Sequence, residues 1–127
     1  MGAEKLFENR IKKWLEGNGI YRLGTSTQDM KTEPIGYWEK RFGNKMTPSG
    51  LPDLHVVIGG QSFEFEIKGP RGKASELQKH MIEQIIKSGC VGAVLYEYQE
   101  DIPDDGFEYY INYEQFKNTV IYYASKS

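Results

Sequence analysis

The chain has 127 residues, enough for one domain with a hydrophobic core and too few for a second. Its 16 basic and 18 acidic side chains give a formal net charge of −2, which excludes a protein that binds nucleic acid through its overall charge. The single cysteine, Cys90, excludes an intrachain disulfide, and no apolar run approaches the length of a membrane span. Because no basic-then-apolar leader opens the chain either, we expect a soluble cytoplasmic protein.

The N-terminal part of the chain begins with a predicted helix over residues 3–17, where apolar residues recur at helical spacing on one side. A short strand is predicted at 20–23. Residues 24–49 are polar and irregular in pattern, so we expect a long loop there, which in a small domain is usually functional or disordered.

A β-hairpin follows this loop. Residues 54–58 form the first predicted strand, and the second runs from about residue 62 to 69. Gly59-Gly60 lies between them and is a favoured dipeptide for a tight hairpin turn.

The rest of the chain alternates helix and strand. We expect an amphipathic helix over residues 75–87 and an apolar strand at 91–96. A strand at 107–111 and a last helix, which Asn112 is placed to cap, extend to about residue 124. This C-terminal part is predicted to be an addition to a core of about residues 3–98, within a single domain.

The negative charge is concentrated in one late loop. Residues 97–108 carry six acidic side chains and no basic one, whereas residues 1–96 carry 14 basic and 11 acidic side chains. Binding to nucleic acid is therefore compatible with the sequence, and we expect its affinity to be modest and salt-sensitive.

Charged residues share one face of the second hairpin strand. Its apolar residues alternate, so Glu64, Glu66 and Lys68 point to the opposite side. If the two strands pair antiparallel, Asp53 at the start of the first lies at the same end of the hairpin as Glu66 and Lys68. Two carboxylates can hold a hard divalent cation, and a nearby ammonium can meet the negative charge that develops when a phosphodiester is attacked.

A second interpretation applies to the same strand. Acidic and basic side chains on exposed strands commonly pair across strands for solubility, and this is the commoner meaning of an isolated Glu66-Ile67-Lys68 pattern. The preceding Gly50-Leu51-Pro52-Asp53, at hairpin distance, favours a site instead.

Four segments in this order resemble the VRR-NUC (virus-type replication-repair nuclease) domain of the PD-(D/E)xK nuclease superfamily. They are Phe7-Glu8-Asn9-Arg10-Ile11, Gly50-Leu51-Pro52-Asp53, Glu66-Ile67-Lys68 and Ser75-Glu76-Leu77-Gln78. The similarity covers about residues 3–98. It implies an α/β fold with a restriction-endonuclease-like α-β-β-β-α-β core, whose mixed central sheet is flanked by helices. It also implies metal-dependent cleavage of DNA, and stand-alone phage members resemble homodimeric Holliday-junction resolvases.

The resemblance also implies roles for individual residues. Asp53 and Glu66 would hold Mg²⁺ or Mn²⁺, with the Ile67 carbonyl as third ligand. Lys68 would position the attacking water or stabilise the charge of the transition state. Glu8 would act through a water in the outer shell of the metal or by binding a second ion.

Two of the supporting residues have competing interpretations. Glu8 matches the family position best, but Glu4 lies one turn earlier on nearly the same helix face. Gln78 matches the family glutamine, but Ser75-x-x-Gln78 is also a capping box, in which the glutamine bonds a backbone donor at the start of the helix. One amide is not expected to fill both roles completely.

Basic residues near the predicted site are candidates for DNA contacts. Arg71 and Lys73 lie in a rigid turn before a helix and either grip a phosphate or are simply solvated. Lys40 and Arg41 stand among aromatic residues of segment 24–49. That composition suits branched or unpaired DNA, and equally suits a loop pinned to the core or a dimer contact. These aromatic and basic residues are Lys31, Tyr37, Trp38, Lys40, Arg41, Phe42 and Lys45.

The residues and the resemblance together predict a metal-dependent endonuclease that acts on branched or otherwise structured DNA. The resemblance also implies a homodimer, and no membrane partner is expected. One rival function is a DNA-binding module that keeps the fold but does not cut. Another is a structural subunit whose acidic loop meets a basic partner. His55 and His80 lack the partners of a zinc site and are expected to be ordinary polar residues.

Overall fold

The computed structural model describes residues 1–41 and 50–126. The helices and strands, in chain order, are α1 (Ala3–Gly17), β1 (Ile20–Arg22), β2 (Gly36–Lys40), β3 (Leu54–Ile58), β4 (Gln61–Ile67), α2 (Glu76–Lys87), β5 (Val91–Tyr96), β6 (Tyr110–Asn112) and α3 (Tyr113–Ala124). Within these described ranges, none of the helices is both long enough and apolar enough to cross a membrane.

The strands form one mixed sheet in the order β1-β2-β3-β4-β5-β6. The central strands β2, β3 and β4 are antiparallel neighbours, whereas β1 runs parallel to β2, and β5 and β6 run parallel to β4. The prediction of an α/β fold with a mixed central sheet flanked by helices is confirmed.

The predicted hairpin is formed by β3 and β4. Gly59 and Gly60 have φ angles of 55° and 81°, the left-handed values that a tight turn of this kind requires and that glycine adopts without strain. The turn sets the register, in which Leu54 pairs with Phe65. One residue further along, Asp53 therefore comes opposite Glu66.

The main core lies between one face of the sheet and helices α1 and α3. Alternate residues of β3 and β4 enter it because successive side chains of a strand point to opposite faces. Phe116 and Val120 of α3 belong to the same cluster, and the Phe116 ring lies 4.9 Å from the Phe65 ring. The C-terminal elements, predicted to be additions, are thus part of the main core.

Helix α2 covers the other face of the sheet over β4 and β5. Ile82 of α2 packs with Val94 and Tyr96 of β5 in a second cluster. Ser75 caps α2 and Asn112 caps α3, each with a complete capping box, so the predicted cap of the last helix is confirmed. These caps account for where the two helices begin.

Strand β2 was missed by the sequence analysis, which expected an irregular loop over 24–49. It lies between β1 and β3, and its neighbours stand so close that a Cβ on Gly36 would lie 2.4 Å from the Val57 carbonyl oxygen. Trp38 is buried in the main core and so is not available for stacking on a base. Phe42 and Lys45, named as DNA-contact candidates, lie outside the described residues.

The last strand begins three residues later than expected, at Tyr110 rather than residue 107. Phe107 and Tyr109 pack instead against the second cluster, and the Phe107 ring lies 5.1 Å from that of Tyr110. An aromatic-rich segment of this kind resembles a strand in its composition, but here it is a packed loop.

Candidate active site

Asp53 and Glu66 form a cross-strand pair of carboxylates at one end of the hairpin. Glu66 is buried at 4 % exposure, and Asp53 Oδ2 accepts a hydrogen bond of 3.0 Å from the Ile67 N–H. The loop before Asp53 rests on α2, because a Cβ on Gly50 would lie 2.7 Å from Leu77 Cγ. Gly50 also has a φ of 85°, so glycine is required there on both counts.

The electrostatics of this pair favour a proton or a cation between the two groups. Burial, and next the charge of Asp53, raise the pKa of Glu66, while Lys68 opposes the rise. Asp53 and Glu66 can hydrogen-bond to each other only when one of the two carboxyl groups is protonated. When both are ionised, the buried Glu66 Oε1 has no hydrogen-bond donor among residues 1–41 and 50–126.

The other oxygen of Glu66 is well supplied with donors. Lys68 Nζ lies 3.3 Å from Glu66 Oε2, and Gln78 Nε2 donates to the same oxygen at 3.1 Å. Lys68 is the first residue after β4, and its N–H donates to the Leu95 carbonyl, which fixes its backbone to β5. The predicted neighbours Glu66, Lys68 and Gln78 are therefore brought together.

Gln78 takes part in the predicted capping box and also contacts Glu66. Its Oε1 accepts a hydrogen bond of 2.9 Å from the Ser75 N–H in the capping box, while its Nε2 donates to Glu66. The capping contact and the contact with Glu66 do not exclude each other, because they use the carbonyl and the amino end of the side chain.

The residues present fit a hard divalent cation. Among the described residues, no group of three or more His, Cys, Asp or Glu side chains is placed to hold a metal. An ion at Asp53 and Glu66 would therefore need backbone oxygen and water to complete its shell. Because the N–H and C=O of a strand residue point to the same side, the Ile67 carbonyl faces the side where Asp53 lies. The undonated Glu66 Oε1 is the oxygen that a cation would satisfy.

Glu8 lies beside this pair and is surrounded by lysines. It is 5 % exposed, and its carboxylate lies 2.8 Å from both Lys5 Nζ and Lys12 Nζ, and 3.2 Å from Lys40 Nζ. Burial raises the pKa of Glu8, but hydrogen bonds from Lys12, Lys5 and Lys40 outweigh it and lower the pKa to about 2. Glu8 is therefore ionised at neutral pH.

Lys40 connects Glu8 to the carboxylate pair, since its Nζ also lies 3.9 Å from Asp53 Oδ1. The competing residue, Glu4, is exposed and accepts a hydrogen bond from the Gly69 N–H at 3.3 Å. Glu8 is thus linked to Asp53 through one lysine, whereas Glu4 contacts the loop after Lys68.

Two predicted DNA-contact residues are engaged within the protein. The Lys40 side chain is 11 % exposed between Glu8 and Asp53, and Arg41 makes a bidentate ion pair with Glu64. No role in the site was predicted for Glu64, although it stands two residues before Glu66 on the same face of β4. The two-residue spacing from Glu66 could have indicated that Glu64 lies near the site.

Arg71 and Lys73 are exposed on the loop that follows Lys68. With Pro70 and Gly72 they line a groove of about 380 Å³, whose opposite wall is formed by residues 100–105 of the acidic loop. The basic loop is held to the end of β5, because the Tyr96 hydroxyl donates a hydrogen bond of 2.6 Å to the Gly72 carbonyl. A phosphate at Arg71 and Lys73 would therefore meet an acidic neighbour across the groove.

We expect Glu8→Gln to destabilise the protein by about 2 kcal/mol at pH 7, because three lysines lose a buried partner. The pKa of Glu8 is lowered on folding to about 2, so its stabilisation is present above pH 4.5 and is lost as the pH falls towards 2. Urea denaturation at several pH values measures this. The difference between wild type and variant should shrink below pH 4.5, and an equal difference at pH 7 and pH 3 would contradict the assignment. Glu4→Gln, one turn earlier on α1, is the matched control and should change stability little.

The site thus combines Asp53, Glu66, Lys68 and Gln78 around one buried carboxylate oxygen, with Glu8 and Lys40 alongside. These residues come from two helices, two strands and the loops that join them. Comparisons with protein-family models, with curated proteins and with solved structures gave no match to this chain.

Proposed function

We propose that the protein is a divalent-metal-dependent endonuclease that hydrolyses DNA phosphodiester bonds, with branched DNA such as a four-way junction as its substrate. One observation carries the proposal. Glu66, buried opposite Asp53 and next to Lys68, has an oxygen with no hydrogen-bond donor in the part of the chain that the structure describes. A buried carboxylate without full compensation is costly for stability, which is typical of groups kept for function.

Asp53, Glu66 and the Ile67 carbonyl would hold Mg²⁺ or Mn²⁺, since all three offer the oxygen ligands that these ions prefer. When bound, the ion polarises a phosphoryl oxygen and lowers the pKa of a coordinated water. The single cysteine favours a reducing, cytoplasmic setting for this activity.

Lys68 supplies a fixed positive charge within the site. Its side chain is 15 % exposed and its Nζ lies 3.3 Å from Glu66 Oε2, so it is only partly solvated. An ammonium group in such a position stabilises negative charge more strongly than one in bulk water. Lys68 can therefore orient the attacking water or stabilise the pentacovalent phosphate.

Gln78, Glu8 and Lys40 support the two metal-binding carboxylates, Asp53 and Glu66. Gln78 holds Glu66 Oε2 and is itself anchored by the capping box at the start of α2. Lys40 lies between Glu8 and Asp53 and so restrains the exposed side of the pair. Glu8 acts beyond the first shell of ligands, because Lys40 stands between it and Asp53.

Substrate binding would use the exposed basic loop. Arg71 and Lys73 are exposed on the loop that follows Lys68, and in this proposal they contact a phosphate near the scissile one. Two copies of the chain in a homodimer would present two such sites and so allow paired cuts across a four-way junction. The acidic residues that line the same groove limit the binding energy available, and phosphate contacts by Arg71 and Lys73 would make binding salt-sensitive.

We expect cleavage of a labelled four-way junction in Mg²⁺ or Mn²⁺ and none in chelator, because the acidic pair acts through its cation. The assay compares this junction with a linear duplex of the same sequence. Asp53→Asn should lose the activity, whereas Glu83→Gln, which changes an exposed carboxylate of α2, should keep it.

Each result of this assay has a distinct meaning. Equal cutting of both substrates would keep the nuclease and remove the junction preference. Binding to the junction without cleavage, equal in wild type and Asp53→Asn, would replace the enzyme with a non-catalytic DNA-binding module. Absence of both metal binding and DNA binding would favour a structural subunit.

A further inference from the structure

Arg41, the first residue after β2, contacts the loop that carries Asp53 through both its backbone and its side chain. Its backbone N–H donates a hydrogen bond of 2.7 Å to the Asp53 carbonyl. Its Nη1 donates to the Pro52 carbonyl at 3.0 Å. Two consecutive carbonyl groups just before β3 are therefore held by one residue.

The guanidinium group of Arg41 is itself fixed from a third strand. Nη1 and Nη2 lie 2.5 and 2.9 Å from the two carboxylate oxygens of Glu64 on β4, and Glu64 is 7 % exposed. His55 Nδ1 on β3 lies 2.7 Å from Glu64 Oε1. The arrangement joins the end of β2 to β3 and β4, and every polar atom of the Glu64 carboxylate is engaged.

We propose that Arg41 is a positioning residue that holds Asp53 against Glu66, with Glu64 and His55 fixing its guanidinium group. The inference rests on the proposed function, in which Asp53 and Glu66 share a cation. Asp53 precedes the first residue of β3, so the strand ladder does not restrain it fully. When no cation is bound and both groups are ionised, the repulsion between the two carboxylates would push Asp53 towards solvent, where 28 % of its side chain already lies. Arg41 opposes that movement.

The chemistry of the group explains why an arginine stands here. A guanidinium fork bonds a carboxylate with two parallel N–H groups and still has a donor for the Pro52 carbonyl, whereas an ammonium group acts as a point charge. The charge of Arg41 is matched by that of Glu64. The contact therefore adds little net positive charge that would compete with a cation at Asp53 and Glu66.

This role replaces the DNA contact that the sequence predicted for Arg41. Its side chain is 25 % exposed, and three of its hydrogen bonds go to Glu64 and Pro52. A phosphate contact would require breaking the bidentate pair and leaving Glu64 buried with less compensation, which is costly. The exposed Arg71 and Lys73 carry no such cost.

Arg41→Lys tests the proposal, because lysine keeps a charge for Glu64 but cannot make all the contacts of the fork. Arg41→Ala is avoided, since an unpaired buried Glu64 can unfold the protein. In metal-free protein, we expect the Ile67 amide, which donates to Asp53, to exchange its hydrogen about tenfold faster in Arg41→Lys. By calorimetric titration, the affinity for Mn²⁺ should fall about tenfold or more.

Two further variants make the test specific. His55→Gln removes one support of Glu64 and should give changes of the same sign but smaller size. Arg10→Ala breaks another arginine–glutamate ion pair, with Glu97, and should change neither readout. Unchanged Ile67 exchange and unchanged Mn²⁺ affinity in Arg41→Lys would overturn the positioning role.

The two readouts separate this inference from the proposed function. If wild-type protein binds no Mn²⁺, the metal-dependent nuclease is wrong, and the exchange of the Ile67 amide alone decides whether Arg41 holds Asp53. If wild type binds Mn²⁺ and Arg41→Lys binds it equally well, with unchanged exchange, the nuclease stands and the positioning role fails.

Discussion

The Glu66→Gln variant is expected to be more stable than wild type at pH 8 by about 1–2 kcal/mol in metal-free solution, and to lose its affinity for Mg²⁺ and Mn²⁺. Burial and the neighbouring Asp53 raise the pKa of Glu66 on folding. A carboxyl group with a raised pKa stabilises the folded state below its unfolded pKa of about 4.5, and this stabilisation is lost as the pH rises through the folded pKa. Metal-free wild type should therefore lose stability from about pH 5 to pH 8, and the variant should not.

Chemical denaturation at pH 5 to 8 in chelator measures the first part of this expectation. The second part is measured by thermal unfolding with added ion, because a ligand that binds only the folded state stabilises it by about 2.7 kcal/mol at one hundred times its dissociation constant. Wild type should melt at a higher temperature with Mn²⁺, whereas Glu66→Gln should not respond. Glu83→Gln, on the exposed side of α2, is the control and should behave as wild type. A wild type that gains stability from pH 5 to 8 without metal would contradict the unfavourable burial of Glu66.

The Lys68→Ala variant is expected to lose DNA cleavage by about 10²–10³-fold, a range typical of removing one fixed group that stabilises charge in the transition state. The expectation follows from its position, since Lys68 Nζ lies 3.3 Å from Glu66 Oε2 in a partly buried site. Single-turnover cleavage of the four-way junction at saturating Mn²⁺ measures the effect on the chemical step.

A separate measurement distinguishes a catalytic effect from weaker metal binding. Lys68 lowers the pKa of Glu66, so its removal strengthens proton competition for the carboxylate. Mn²⁺ binding by Lys68→Ala should therefore recover at higher pH, while cleavage stays low. Lys87→Ala, in the last turn of α2, changes an exposed lysine and should cut normally. Full cleavage by Lys68→Ala at high pH would remove Lys68 from the chemical step.

Much of the fold followed from local patterns. The helices at 3–17 and 75–87 and the strands at 54–58 and 91–96 were predicted within one or two residues, because helical periodicity, caps and the Gly59-Gly60 turn are local signals. Strand β2 was not predicted, since it is short and is stabilised by pairing with β1 on one side and β3 on the other. Such pairing depends on residues distant in the chain.

The candidate site also has features that local sequence patterns predict and features that they do not. The opposition of Asp53 and Glu66, and the closeness of Lys68, follow from a two-residue turn and the two-residue period of a strand, both of which can be read from sequence. The double role of Gln78 depends on the distance between the start of α2 and β4, for which the sequence contains no signal.

The sequence by itself therefore determined the register of the hairpin and which two carboxylates lie opposite each other. Both depend only on two neighbouring strands and on the single turn that joins them. Only the tertiary structure decided the partners of the remaining charged groups. Lys40 lies between Glu8 and Asp53, and Arg41 is bound to Glu64, because β2 is placed beside β3. A charged side chain binds whatever opposite charge the packing brings within reach, and that choice is made by elements far apart in the chain.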